Sequence, residues 1–422
     1  MPNAAGGPEG RAATASSRKP DRALVIADDI GVFLAVARSL GRAGIEVGVA
    51  TSEHDYPGLK SRYVTRVHTV PPYLSRTAEW LDALDSLVEQ HRYRLVFPTS
   101  DSSLVLLAEH AVRLGRECLA IPNREALAAF ADKAATRRLA AELGVPTATG
   151  MMVGPETSAA ELERLFGLPL VIKPCSSYRP GHAKAKTAAS ILATSDEVAR
   201  ELARGRGQGL VAERFFPGEG VGVSVLAREG RVRLAWQHRR LAAVGPTGRS
   251  SARKGEPVDP VLLRDVEALV GAVRLSGVAM FEFRQNPRSG AHILIEVNCR
   301  FWGSLPLALA GGADFPLELW RQLTATELSA PQPRIVLARK KSLQGECERL
   351  GAESAASTLR GLWDRARLLL EAIVRPMPFD GWAKDDPGPH REELRQLLGG
   401  LLRRLQRPGT APELPAAPLR SS

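Results

Sequence analysis

Cysteine is scarce in this chain: four residues in 422, at positions 118, 175, 299 and 347, with no CxxC pair among them. That spacing argues against a disulfide framework and a structural zinc site, and makes a reducing, cytoplasmic setting the expectation. Long apolar runs are also missing. No stretch approaches the about 20 residues a membrane span needs, and the opening MPNAAGGPEGRAATASSRKP has no apolar segment of the signal-peptide kind. Nor is there a block of one charge. The 57 basic and 46 acidic residues leave a net charge of +11, which favours anionic ligands in general. The Lys and Arg residues are scattered, however, which speaks against a nucleic-acid partner. Finally, the turn after the first apolar run reads Asp28-Asp29-Ile30-Gly31, with no GxGxxG, so a dinucleotide-binding role lacks its fingerprint.

The length itself predicts two or more domains. Residues 1–20 read as a disordered tail. After them, strands at Ala23–Ala27, Glu46–Ala50 and Arg94–Phe97 alternate with helical patterns, beginning with Val32–Leu40, and imply a parallel sheet over residues 21–122. A helical stretch, Asn123–Gly144, stops at Gly144-Val145-Pro146, and two capping boxes, Ser158-x-x-Glu161 and Thr194-x-x-Glu197, open amphipathic helices around a strand at Leu168–Ile172. Strands then dominate: Leu210–Phe216, Val221–Ala227, Arg231–Gln237, Val278–Arg284 and His292–Val297. The expectation is a small unit over 147–208 and a larger sheet over 209–330. Residues 331–422 form a basic helical extension with a disordered end. Within it Leu359, Leu362, Ala366, Leu369 and Ile373 have helical spacing, suited to packing on the core or, as the alternative, to a membrane surface.

The strongest chemical signal lies in the two strands around Asn286-Pro-Arg-Ser-Gly290. A hairpin centred on Ser289 sets Glu282 directly across from Glu296, with Asn298 on the same face and Phe281, Phe283, Ile295 and Val297 on the other. Carboxylates whose Cβ atoms are ~5 Å apart repel unless a cation joins them. Oxygen donors so placed suit Mg²⁺, with Mn²⁺ as an alternative; a solvated face of unpaired acids is the other reading. Arg300 falls on that face too, either to stabilise a transferring phosphoryl group or to pair with one of the acids. Lys173 ends a strand before a polar loop, where a phosphate contact and an ordinary surface lysine both fit. Lys133 follows Asp132 on a helix, and Val211–Glu219 is either a core strand and turn or one wall of an adenine slot.

In this order, Asp132-Lys133, Gly144-Val-Pro146, Val171-Ile-Lys-Pro174, Glu213-Arg-Phe-Phe-Pro-Gly218, Phe281-Glu-Phe283 and Ile295-Glu-Val-Asn-Cys-Arg300 resemble the ATP-grasp superfamily. Arg38–Gly44, Ser61-Arg62-Tyr63, Phe301-Trp-Gly-Ser304 and Asp314-Phe-Pro316 resemble its carboxylate–amine ligases in particular. The resemblance runs from Leu24 to Trp320 and implies an α/β chain: an N-terminal βαβ domain, two subdomains gripping ATP, and a helical extension. It further implies that Lys133 and Lys173 contact the phosphates of ATP, and that Glu213, Arg214, Phe215 and Phe216 form a hinge against adenine with Glu219 near the ribose. Glu282, Glu296 and Asn298 would hold one or two Mg²⁺ ions. Arg300 would steady the transition state, with His238 and Arg240 near the γ-phosphate or substrate. The implied reaction activates a carboxylate as an acyl phosphate for attack by an amine, with no Ser or Cys nucleophile; a different nucleophile, carboxylation chemistry, or an ATP-binding sensor that has lost catalysis are the alternatives. Two departures stand out: the loop Cys175–Lys184 has a single glycine, with Ser176, Arg179 and His182 as substitute contacts or, as the alternative, a slower or impaired loop, and Cys299 stands where Pro or Thr is commoner. Substrate identity and oligomeric state, a dimer being one option, are not written in the sequence.

Overall fold

A computed structural model describes residues 21–174, 189–205, 209–243, 250–324, 339–341, 370 and 379–405. The expected tail, the loop after Pro174 and the helical pattern at 359–373 lie outside these residues.

The first unit is a parallel four-stranded sheet in the order β3-β2-β1-β4. Its strands are β1 (Arg22–Ile26), β2 (Glu46–Thr51), β3 (Val64–Thr69) and β4 (Leu95–Phe97), accompanied by helices α1 (Ile30–Arg42), α2 (Thr77–His91), α3 (Asp101–Glu109) and α4 (Ala111–Leu114). Alternate residues of β1 bury on opposite sides, Ala23 and Val25 against α1, Leu24 and Ile26 against Trp80 and Leu107, so a continuous apolar run is what such a strand requires. β3 escapes a reading by hydrophobicity because it is an edge strand whose central residues are exposed.

The stretch 123–144 is not one helix but two, α5 (Arg124–Ala131) and α6 (Lys133–Glu142). Asp132 leaves helical geometry between them (φ −99°, ψ 116°) and caps α6, its side chain accepting from the amides of Ala134 and Ala135. Lys133 is thereby placed at the first position of a new helix. Gly144 follows with φ +71°, a left-handed end that favours glycine.

A small antiparallel sheet comes next, in the order β5-β8-β6-β7: β5 (Gly150–Met152), β6 (Leu170–Pro174), β7 (Ser190–Leu192) and β8 (Leu210–Arg214), with α7 (Ala159–Phe166) and α8 (Ser195–Arg204). Thr194 and Glu197 form a full reciprocal capping box, whereas Ser158 only accepts from the Glu161 amide. β8 was expected in the larger sheet; its main chain pairs instead with β5 and β6.

The larger sheet has six antiparallel strands ordered β13-β12-β9-β10-β11-β14. They are β9 (Glu219–Arg228), β10 (Arg231–Ala243), β11 (Ser250–Glu256), β12 (Gly277–Gln285), β13 (His292–Asn298) and β14 (Arg339–Lys341). α9 (Pro260–Ala272) and α5 cover its apolar side, where Val221, Val223, Phe281 and Phe283 meet Leu262, Val266 and Phe130. α10 (Leu305–Ala310) and α11 (Phe315–Leu323) join one end of its other side to α1, through Trp236, Trp302, Phe315 and Trp320.

The extension does not stand apart: β14 closes the sheet's edge, and Phe379 onward, ending in α12 (Gly388–Leu405), returns to the first unit. There Asp386, almost wholly buried, accepts from Arg38 Nε (2.8 Å), Ser61 Oγ (2.7 Å) and the Arg62 amide (2.8 Å). Asp385 accepts from Arg42 twice at 2.8 Å and from the Tyr63 hydroxyl at 2.6 Å, contacts that hold its carboxyl far below the usual range. No helix among the described residues is long and apolar enough to cross a membrane.

Candidate functional site

The β12–β13 hairpin brings Glu282 opposite Glu296, with Met280 opposite Asn298. The register that does so is not uniform. From Phe283 toward the turn the pairs run Phe283–Leu294 and Gln285–His292, one residue out of step, and a bulge at Ile295 restores the alignment at Glu282. The symmetrical count about Ser289 therefore lands on the right pair because the one bulge offsets a turn centred half a residue earlier, where Asn286 pairs with Ala291. The core residue beside Phe283 is consequently Leu294, at 4% exposure, while Ile295 is only half-buried.

Strand alternation assembles one polar face. β13 contributes Glu296 and Asn298, β12 contributes Glu282 and Arg284, and β10 contributes His238 and Arg240. Between them β9 presents Gly220 and Gly222, where a Cβ on Gly222 would overlap the His238 ring and one on Gly220 would lie 2.7 Å from Arg240 Cδ. The two glycines leave a trough that side chains from β10 reach across. The signal for it, Glu-Gly-Val-Gly-Val-Ser at 219–224, alternates glycine with valine at the strand period.

Each acid on this face has a cation beside it. Arg240 Nη2 lies 2.6 Å from Glu282 Oε2, and Lys133 Nζ lies 3.5 Å from Glu296 Oε2. Asn298 Nδ2 donates to Glu296 Oε1 at 3.3 Å and its Oδ1 receives Arg300 Nη2 at 3.4 Å. Arg300 does pair with an acid, though with neither glutamate: it grips Asp101, at the start of α3, through Nε (2.5 Å) and Nη2 (2.7 Å). Burial works against its charge, and Asp101 more than offsets that, so the guanidinium is held above its ordinary range. Asp101 carried no motif that sequence reading could find.

Lys173 is no surface lysine. It is 6% exposed and 2.7 Å from Glu213, which also binds Arg137. The Glu213 carboxylate is thus engaged inside the protein by two cations. Arg214, next along the strand, turns to the other side, is exposed, and donates to the Leu165 carbonyl at 3.2 Å. Phe215 and Phe216 are half-buried and tied to the sheet by Arg284, whose guanidinium lies 5.6 Å from the Phe215 ring centre and donates to the Phe216 carbonyl at 3.4 Å. Arg284, two residues beyond Glu282 in strand period, was legible but overlooked. Glu219 is half-exposed and paired with Arg239 at 3.1 Å.

His238 was expected as a basic residue. Burial, aided by Arg240 and Arg253, pulls its imidazole down to about 3, so it is neutral near pH 7. Ser304 Oγ lies 3.4 Å from its Nδ1. The Cys299 thiol is buried and pushed up to about 12, which removes it as a nucleophile. Cys175, Cys347 and the expected contacts Ser176, Arg179 and His182 are outside the described residues. Among the described residues no group of three or more His, Cys, Asp or Glu side chains is placed to hold a metal. The donor set here is two carboxylates and an amide oxygen, the kind of oxygen set that suits a hard divalent cation sharing its sphere with phosphate.

No family model matches the chain. Among curated proteins, the formate-dependent phosphoribosylglycinamide formyltransferase of Marinobacter nauticus is 32% identical over 164 residues, 37% of this chain and 38% of that protein. Its counterpart from Stenotrophomonas maltophilia (strain K279a) is 33% identical over 147 residues, 34% of each chain. The match thus spans little more than a third of either relative. Solved structures extend it. The L-amino acid ligase from Bacillus licheniformis aligns with a TM-score of 0.59 at 19% identity, over 75% of this chain and 78% of that one. Biotin carboxylase from Campylobacter jejuni, as a β-γ-ATP complex, aligns with a TM-score of 0.60 at 15% identity, over 75% and 74%. An ADP complex of N5-carboxyaminoimidazole ribonucleotide synthetase aligns with a TM-score of 0.60 at 13% identity, over 79% and 85%. With its parallel sheet, small antiparallel sheet and six-stranded sheet in that order, the chain has the ATP-grasp fold.

Proposed function

We propose that this protein is an ATP-dependent ligase that joins a small-molecule carboxylate to an amine, releasing ADP and phosphate. The observation that carries the reading is Glu282 facing Glu296 beside Asn298, on a sheet face ringed by Lys133, Arg240 and Arg300. The names of the similar proteins support it, since they include an L-amino acid ligase and a formate-dependent formyltransferase, and two of the structures are complexes with ATP or ADP.

Glu282, Glu296 and Asn298 are the residues to hold Mg²⁺, or Mn²⁺ in its place, which when bound neutralises phosphate charge and polarises the γ-phosphoryl group. Lys133 and Lys173 exchange their carboxylate partners for phosphate oxygens; the main chain at Glu213–Phe216 and the Phe215 and Phe216 rings flank the base. A carboxylate oxygen attacks the γ-phosphorus and ADP departs. The amine nitrogen then bonds to the acyl carbon, the bond from carbon to the phosphate oxygen breaks, and the amine's proton passes to water. Arg300 and Arg240 stabilise negative charge as it builds on the oxygens in flight. His238 contributes a neutral imidazole and shape, not a proton. Little covalent work falls to the protein; positioning and charge do most of it.

The test is ADP release from ATP with Mg²⁺ across mixtures of carboxylates and amines, for wild type and Glu296→Gln. A productive mixture should give release that falls about a hundredfold or more in the variant. Equal release by both proteins in every mixture would sink the ligase reading in favour of an ATP-binding protein without catalysis.

A further inference from the structure

In the parallel sheet the strand order reverses between β1 and β4. Open parallel sheets bind ligands in the crevice outside the carboxyl ends of the strands at such a point. The usual occupant is a phosphate, held by free amides at a helix N-terminus. Here the site is built against one. The Gly31 and Val32 amides at the start of α1 donate to Asp29 Oδ1 at 3.0 and 3.1 Å, so the protein's own carboxylate fills the anion position. Asp28 stands next to it, accepting from Ser100 Oγ (2.7 Å) and the Tyr73 hydroxyl (2.9 Å) across the crevice. Glu53, beyond the end of β2, is near enough that Asp28 adds to the rise that burial gives its carboxyl. None of the three carboxylates has an ion-pair partner among the described residues.

Tyr56 supplies an independent sign that something is to be bound. It is 6% exposed, its ring packs edge-on to Phe33 at 5.4 Å, and its hydroxyl has no hydrogen-bond partner among the described residues. The charges that act on that hydroxyl are Asp29, Asp28, Glu53 and Glu393, all negative. Asp380 reaches the same end of α1 from the C-terminal segment, where a side chain at Gly31 would touch it; its Oδ2 is paired with Arg253, while its Oδ1 is buried with no partner among the described residues. Both atoms are placed to accept from a donor that enters here. A cationic amine is such a donor: it carries several N–H groups and a charge opposite to that of the carboxylates, to which Arg300 beside Asp29 and Arg253 beside Asp380 already contribute from the margins.

We propose that this crevice binds the protonated primary amine of the second substrate, its ammonium donating to Asp29, Glu53 and the Tyr56 phenol oxygen. Arg300 lies between this crevice and the acidic hairpin, bonded to Asp101 on one side and Asn298 on the other. The amine would enter beside the place where the carboxylate is activated, and would lose its ammonium proton to water before its nitrogen attacks. The inference rests on the ligase reading for its purpose, but its test does not use ATP.

Titration calorimetry of the full chain with putrescine, ethanolamine and glycinamide, against the uncharged 1,4-butanediol, ethylene glycol and glycolamide, reads binding directly. At least one amine should bind and its neutral counterpart should not. Asp29→Asn, which keeps the helix cap, and Tyr56→Phe should each weaken that amine about tenfold or more. Tyr56→Phe should also unfold at the same or a higher temperature than wild type, because it deletes a hydroxyl that is unpaired without ligand. No amine binding, equal binding by the variants, or joint loss of stability and binding in Tyr56→Phe would overturn the proposal. Failure of ADP release with amine binding intact would overturn the ligase reading alone.

Discussion

The two surfaces that meet at Arg300 follow opposite electrostatic rules. On the polar face of the six-stranded sheet and the neighbouring small sheet, acids and cations are matched: Glu282 with Arg240, Glu296 with Lys133, and Glu213 with Lys173 and Arg137. At the carboxyl end of the parallel sheet Asp28, Asp29 and Glu53 are held by amides and hydroxyls or by nothing described, with no cation paired to them. A matched face can exchange partners, its lysines and arginines turning to phosphate while its acids turn to a divalent cation, so the chain is stable before the ligand comes. The other end keeps three carboxylates without an ion pair among the described residues, with Arg300 and Arg253 at its margin, and an added cation would complement them. The difference suits a face for a nucleotide with its metal and an end for an amine.

Breaking the join should have the largest effect. Arg300→Ala leaves Asp101 without its bidentate partner and the hairpin without its bridge. We expect about a hundredfold or greater loss of ADP release and only about 1 kcal/mol of stability, since the Asp101 side chain is 43% exposed and solvent screens the pair. Arg300→Lys should recover part of the stability and little of the rate, since an ammonium cannot reproduce the paired hydrogen bonds to Asp101. Single-turnover kinetics and urea unfolding measure both, and an Arg300→Lys enzyme as fast as wild type would show that the two surfaces are not coupled through this residue.

Next is the clasp that carries Asp380 to the unmatched end. Arg38→Ala or Asp386→Ala breaks a pair whose side chains are 6% and 1% exposed, at a cost of about 3–5 kcal/mol. Hydrogen exchange should rise across residues 379–405 while the hairpin stays protected. If exchange rises equally in β12 and β13, the segment is part of the core and not a separable clasp.

The smallest effect is set by His238 on the matched face. Its folded imidazole titrates at about 3 against an ordinary 6.5, so the unfolded chain takes up a proton before the folded one does. The stability this neutral imidazole contributes is present above pH 6.5 and is lost as pH falls from there toward 3, at about 1.4 kcal/mol per unit. Denaturation between pH 7 and 5 should show that slope, reduced in His238→Gln; an unchanged slope would mean that the imidazole is not buried as a neutral base.

How far the chain could be read depends on the range of the interactions involved. Glu282 opposite Glu296 was legible because a hairpin relates residues by counting, yet the bulge at Ile295 was not, since a bulge depends on how two strands and their neighbours pack. The Asp132 break between α5 and α6 was open to view as a capping residue, but the helical pattern on both sides hid it. Arg38 and Ser61-Arg62-Tyr63 were noticed by resemblance and given no role. Their partners, Asp385 and Asp386, lie more than 300 residues away in a short polar stretch with no periodicity. The same distance hid Asp101 from Arg300, 199 residues apart.

What the sequence determined by itself is therefore local and periodic: the apolar strands of the first sheet, the glycine stops, the Thr194–Glu197 cap, and the alternation that puts Glu296 and Asn298 on one face and valines on the other. Such features follow from backbone geometry and the burial of apolar side chains, which act between near neighbours. Only the tertiary structure decided which cation meets which acid, that β8 joins the small sheet, that the C-terminal segment returns to Arg38, and that Tyr56 stands near carboxylates with no hydrogen-bond partner among the described residues. Those outcomes rest on charges and polar atoms brought together from distant parts of the chain, and their energies exist only once the surrounding water is gone.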